Sequence, residues 1–255
     1  MRNTLIILLT LALFAGFSGC KDKEEPVTGI NFDVTFKATY DGFQLEKNKD
    51  YALAGYPLLF LRYRLYLSDV TLFKEDGTSV VISEAEYLDF TPDGSASDVS
   101  ATPKITFKNV PEGMYDGIRL GFGVKPSLNA KQPADFPAGS PLNIETDYWL
   151  GWQSYIFMVL DGKADPDNDG NKNINFSYHC GSDPVYRVLD FNEHIHVAEG
   201  HGGIGIEFDV RKLLTNNDGT PYDIEANPAT SNNVSDDRVA KEIMSHYQNA
   251  TTIKQ

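Results

Sequence analysis

Alternation of apolar and polar residues predicts β-strands along most of the chain. In residues 30–40 every second residue is apolar, and these apolar residues share one face: Ile30, Phe32, Val34, Phe36 and Ala38. Period two is typical of a half-buried strand. The same alternation recurs in residues 61–67 and 204–210, and apolar runs at 80–82, 105–107 and 118–124 predict further strands. We therefore expect a mainly β fold, an antiparallel β-sandwich or a barrel-like sheet stack.

One helix is predicted near the C-terminus. Residues 235–248 begin with Ser235-Asp236-Asp237, which can cap and charge a first turn. Val239, Ile243 and Tyr247 then follow at the spacing of one helix face. There is neither an internal repeat nor a long linker, so residues 29–255 are expected to form one β domain with a short C-terminal helix.

The N-terminus has the pattern of a lipoprotein signal peptide. Arg2 precedes an apolar run from Leu5 to Phe14, and small residues lead to Cys20. The run is too short for a mature membrane span. We predict that residues 1–19 are removed, that Cys20 is lipidated, and that residues 20–28 form a flexible acidic tether. An ordinary signal peptide followed by a chance cysteine is the alternative.

The charge of the chain excludes some partners. Removal of residues 1–19 takes away one arginine, so the formal net charge changes from -14 to -15. A surface this acidic argues against nucleic acid and against electrostatic docking on anionic lipid, so acyl chains must hold the protein at the membrane. The acidic run after Cys20 resembles the export signal of surface lipoproteins. We expect an anchor in the outer membrane of a Gram-negative bacterium, with the domain periplasmic or surface-exposed.

An aromatic stretch at residues 148–157 contains both tryptophans, Trp149 and Trp152. Aromatic side chains bury large areas and need no further function to explain them. From the residues alone, the stretch is expected to be a core strand with heavy aromatic packing.

An acidic loop follows at residues 165–173. Oxygen donors stand at alternate positions, with a glycine at the sixth: Asp165, Asp167, Asp169 and Asn171, then Gly170. This is the first half of an EF-hand loop, but Phe176 occupies the twelfth position, where a bidentate glutamate is needed. The loop is therefore not an EF-hand. A calcium-binding turn and a solvated turn without an ion are both open.

Four of the five histidines lie between residues 179 and 201: His179, His194, His196 and His201. On a strand, His194 and His196 project to one face, and the Gly-rich turn that follows could fold His201 back over them. His179 and Cys180 would have to arrive from another strand. Imidazole suits copper and zinc, and a thiolate favours Cu(I) or zinc. The alternatives are surface histidines without a ligand and a Cys180 buried as a small hydrophobe.

Catalytic motifs are absent from the sequence. It contains no Gly-x-Ser-x-Gly elbow, no His-Glu-x-x-His, no phosphate-binding glycine loop and no dinucleotide fingerprint. We do not expect an enzyme.

Six sequence blocks together resemble the MbnP-like family, a family of copper-binding envelope proteins of bacteria. The blocks are residues 30–34, 64–72, 118–124, 148–157 (followed by Leu160-Asp161-Gly162), 176–182 and 206–214. The aromatic block 148–157 is the most specific of them. The resemblance covers roughly residues 30–214.

The resemblance implies a β-rich fold and a copper site built from histidine. In some members a tryptophan is oxidised to kynurenine by a partner di-haem enzyme of the peroxidase type. Trp149 and Trp152 match the aromatic motif here, and His179 is the matching histidine. The expected function is non-catalytic copper storage, buffering or transfer at the cell envelope. The alternative is a structural or adhesive surface module that binds a glycan or protein through solvent-facing tryptophans.

Overall fold

The computed structural model describes residues 29–231, 233 and 235–255. The predicted signal peptide, the lipidation at Cys20 and the tether lie outside the described residues. Within them, every helix is too short or too polar to cross a membrane.

The described residues form a mainly β fold, as the alternation predicted. The strands are β1 Ile30–Tyr40, β2 Phe43–Gln44, β3 Tyr51–Leu53, β4 Tyr56–Phe73, β5 Ser79–Asp89, β6 Lys104–Val110, β7 Gly113–Tyr115, β8 Gly117–Phe122, β9 Tyr148–Trp149, β10 Ser154–Ala164, β11 Ile174–Gly181, β12 Arg187–Phe191, β13 Ile195–Val197, β14 Ile204–Asp209 and β15 Thr251–Lys254. The helices are α1 Pro126–Asn129, α2 Val210–Leu213, α3 Arg238–Ser245 and α4 Tyr247–Ala250, with 3-10 turns at Pro133–Asp135, Glu145–Asp147 and Asp183–Val185.

Two sheets and a separate two-stranded ribbon make up the fold. The first sheet has the order β15-β14-β1-β2, with β6 also paired to β1; β1 and β14 run parallel. The second has the order β11-β10-β4-β8-β12, with β3 and β5 also paired to β4 and β9 paired to β10. The ribbon is β7 with β13.

The two sheets bury one aromatic core between them. In β1 the predicted apolar face is buried from Phe32 to Ala38, and the inner face of β14 is buried as well. Phe208 of the first sheet packs edge-on against Phe122 of the second, with ring centroids 6.1 Å apart. Edge-to-face contacts of this kind stabilise a core beyond the area that they bury.

The outer face of the second sheet is also covered, which the alternation in residues 61–67 did not predict. Tyr66 was expected among the exposed positions of its strand, yet it is only 1 % exposed. The loop between β8 and β9 lies across this face. Phe136 of that loop packs edge-on against Tyr155, and Tyr155 packs against Tyr66. A loop therefore provides the second layer of burial.

The predicted C-terminal helix is present but shorter, and it continues into a strand. Val239, Ile243 and Tyr247 are buried as their spacing required. The Tyr247 hydroxyl lies 3.1 Å from the Tyr63 hydroxyl inside the core. The chain then turns into β15, which pairs antiparallel with β14 and covers one edge of the first sheet.

We predict that Gly203→Ala lowers the free energy of unfolding by about 1–3 kcal/mol, the usual cost of overpacking. A Cβ atom on Gly203 would lie 1.7 Å from the carbonyl oxygen of Asp33 on β1, so the β1–β14 junction must move. Urea unfolding measures the change. Gly202→Ala is the matched control because its added Cβ meets nothing within 4 Å. Equal stability of the two variants would contradict the prediction.

Candidate metal centre

The aromatic stretch is a hairpin, not the single core strand expected from its composition. β9 ends at Trp149, a turn spans residues 150–153, and β10 begins at Ser154. Gln153 has a φ of 52°, and the turn places Trp152 beside Trp149. The two indole rings stack with centroids 4.3 Å apart, and both residues are half-buried. The tryptophans therefore form a surface platform at the end of β10.

His179 lies on the outer face of the neighbouring strand β11, and 26 % of its side chain is exposed. Gly181 follows two residues later, and the ring of Trp152 covers it: a Cβ atom on Gly181 would come within 3.2 Å of the indole Cζ3. Residues two apart on a strand share a face and lie about 7 Å apart. His179 is therefore the next outward-facing residue beside the tryptophan platform.

Asp161 of β10 orients the imidazole of His179. His179 Nε2 lies 3.0 Å from Asp161 Oδ1, and the same oxygen accepts a hydrogen bond from Ser177 Oγ at 2.8 Å. Arg62 donates to the other carboxylate oxygen at 2.7 Å. When Nε2 donates to the carboxylate, Nδ1 carries the lone pair that can bind a metal.

Neighbouring side chains stabilise the ionised form of the Asp161 carboxyl. Burial by itself raises the pKa of this carboxyl, but the hydrogen bonds from His179 and Ser177 and the positive charge of Arg62 outweigh it and hold the pKa below its ordinary value. The carboxylate is therefore ionised at neutral pH, which is the state that fixes the ring of a metal-binding histidine.

Cys180 faces the opposite side of β11 from His179. Its side chain is fully buried in the core, and burial raises the pKa of the thiol well above its ordinary value. A protonated, enclosed thiol is a poor metal ligand, because the thiolate is the form that binds. The structure thus supports the reading of Cys180 as a small core residue and not as a partner of His179.

The other three predicted ligands lie on the ribbon or next to its strand β13. His194 and His196 are exposed while Ile195 between them is buried, as the alternation required. The ring of His201 does fold back, with its centroid 4.2 Å from that of His196. His194 Nδ1 instead lies 3.3 Å from Asp116 Oδ1.

The ribbon histidines and His179 do not meet. His179 pairs with Val159, which pairs with Arg64 of β4. The ribbon adjoins β4 at Phe73, nine residues after Arg64. There the backbone N–H of Asp116 donates a hydrogen bond to the carbonyl oxygen of Phe73 at 2.8 Å. Nine residues of strand span about 30 Å. The predicted ligands therefore divide into two separate places.

The acidic loop 165–171 brings three carboxylates together. One oxygen each from Asp165, Asp167 and Asp169 lies within 4.8 Å of the others, and Asp165 is buried. Asp165 accepts backbone hydrogen bonds from Asp169 and Gly170, and Asn171 Nδ2 donates to Asp169. These bonds shape the turn without an ion, so calcium stays a prediction of the sequence.

Comparison with known proteins identifies the family. The family model for MbnP matches residues 29–235. The chain belongs to the MbnP family. Among solved structures, MbnP from Methylosinus trichosporium matches with a TM-score of 0.54 at 14 % identity, and the match covers 88 % of this chain and 98 % of that one. At this identity the structural match shows a shared fold. No curated protein sequence matches the chain significantly.

Asp161 is a residue of this candidate site whose role the sequence pattern did not indicate. It belongs to the Leu160-Asp161-Gly162 block of the family resemblance. One sequence feature could have indicated this role: Asp161 is a carboxylate within a strand that is otherwise largely apolar. Such a residue must find partners, and here they are His179, Ser177 and Arg62.

We predict that Cys180 reacts with a thiol reagent only when the protein unfolds. The test uses the chain with Cys20→Ser, in which Cys180 is the sole thiol. Because the side chain is enclosed, labelling in native buffer should be at least a hundredfold slower than in denaturant. Rapid labelling of the native protein would show that Cys180 is accessible and reopen its candidacy as a ligand.

Proposed function

We propose that this MbnP-family chain binds copper non-catalytically, with His179 as an imidazole ligand beside the Trp149–Trp152 pair. The observation that carries the proposal is the Asp161–His179 contact next to that pair. An imidazole oriented by a carboxylate is a common arrangement in metal sites. Family membership supports copper as the metal, and imidazole is a ligand that copper favours.

His179 is the only imidazole on this face among the described residues, since the ribbon holds three histidines and His246 is buried against Leu213. The other ligands would come from solvent or from a modified tryptophan. Trp149 and Trp152 are half-buried at the surface, so an oxidising partner of the di-haem peroxidase type could reach their exposed parts. Conversion of either to kynurenine would place a carbonyl and an amine near His179.

We further propose that the protein is a lipoprotein tethered through Cys20 to the outer membrane, where it stores, buffers or transfers copper. The signal-peptide pattern and the acidic tether support this placement. The net charge of -14 disfavours nucleic acid as a partner. The alternative, a structural or adhesive module, is not favoured by the family match.

Tryptophan fluorescence tests the copper proposal directly, because both tryptophans of the chain belong to the stacked pair. We predict that Cu(II) quenches this fluorescence in the Cys20→Ser chain, since a copper ion on His179 lies close to Trp152. His179→Ala should weaken the apparent copper affinity seen by quenching at least tenfold.

His194→Ala is the matched control, because it removes an exposed imidazole far from the tryptophans. It should leave the quenching curve unchanged. Equal quenching of the wild-type and His179→Ala proteins would reject His179 as a ligand. Mass spectrometry of the peptide that holds Trp149 and Trp152, taken from the native host, tests the modification separately.

A further inference from the structure

A second donor set lies on the outer face of the ribbon. β7 and β13 pair antiparallel with Met114 directly opposite His196, and Tyr115 opposite Ile195. Tyr115 and Ile195 are buried, so Met114 and His196 project together into solvent. Directly opposed residues of an antiparallel pair have Cβ atoms about 5 Å apart. The Met114 thioether and the His196 imidazole are therefore cross-strand neighbours.

The exposure of Met114 is unusual for a methionine. It is 56 % exposed, whereas Met158 and Met244 are fully buried in the core. An exposed thioether gains nothing from burial, yet here it stands directly across the ribbon from the imidazole of His196. A turn held by the hydrogen bond from His201 N to Ala198 O returns His201 over His196, at a centroid distance of 4.2 Å.

The backbone beneath these side chains is fixed on several sides. Ile195 and Val197 are fully buried, and Tyr115 donates from its hydroxyl to Pro111 O at 2.8 Å. Binding a metal would therefore require only rotation of exposed side chains. Sites built on such fixed elements lose less entropy when they are occupied.

The surroundings of the ribbon are mostly anionic. His194 is paired with Asp116, and Glu112 accepts a hydrogen bond from Glu199 N at 3.0 Å. Lys74 is the nearby cation, and its ammonium lies over the Tyr115 ring, 5.2 Å from the centroid. Carboxylates around an exposed site raise the local concentration of cations.

We propose that Met114, His196 and His201 form a surface site for Cu(I), separate from the His179 centre. A thioether favours the soft Cu(I) ion over Zn(II), and two imidazoles complete a three-coordinate set. His194 is left out of the set, because its Nδ1 lies 3.3 Å from the Asp116 carboxylate. An exposed site of this composition can exchange its ion with another protein, whereas the His179 centre lies against the tryptophan platform.

The test uses the full chain with Cys20→Ser and His179→Ala, so that neither the Cys20 thiol nor the other centre contributes. The thiol that remains, Cys180, is enclosed in the core. Cu(I) is titrated against a chromophoric Cu(I) chelator, and Zn(II) is titrated in parallel. Met114→Leu keeps the size of the side chain and removes the sulfur. It should lower the Cu(I) affinity at least tenfold and change the Zn(II) affinity less than twofold. His196→Ala should weaken the binding of both metals.

X-ray absorption at the copper edge provides a readout that a change in folding cannot imitate. One sulfur scatterer should be present in the Cu(I)-loaded parent and absent from Met114→Leu. A sulfur signal that persists in Met114→Leu, or an unchanged Cu(I) affinity, overturns the site. The result of this experiment does not depend on the result of the fluorescence test, because the parent chain used here lacks His179.

Discussion

The pairing of strand β4 determines where every candidate site lies. This strand runs from Tyr56 to Phe73 and pairs with β10 along its first half and with β8 along its second half. β11, which carries His179, pairs with β10, while the ribbon lies next to the start of β8. Because the strand keeps these two neighbourhoods apart, the protein can carry two chemically different donor sets, one on the second sheet and one on the ribbon, without interference between them.

Burial on both faces of the second sheet explains the character of the His179 centre. Where the loop between β8 and β9 covers the outer face, tyrosines pack as in a core. Beyond the edge of that loop, the same face carries Asp161, and its carboxylate forms hydrogen bonds with Arg62 and His179. The tryptophan hairpin stands at the border between these regions. A polar group there keeps access to solvent while its partners restrict its motion, which is the condition for a positioned ligand.

Local patterns predicted the parts of the fold that depend on local periodicity. The apolar faces of β1 and β14 and the buried spacing of Val239, Ile243 and Tyr247 followed directly from it. The Trp149–Trp152 hairpin was missed because its turn depends on a left-handed Gln153, which composition does not reveal. The burial of Tyr66 and the separation of His179 from the ribbon depend on pairing between distant segments. Alternation says which face a residue shares, but not which strand lies beside it.

The end of the chain has a practical consequence. Gln255 follows β15, and its side-chain amide donates a hydrogen bond to the backbone carbonyl of His194. Gln255 therefore lies at the ribbon, next to His194. A polyhistidine purification tag fused there would place foreign metal ligands next to His194 and His196 and would compete for any ion. Metal titrations of this protein therefore call for a chain without a tag after Gln255.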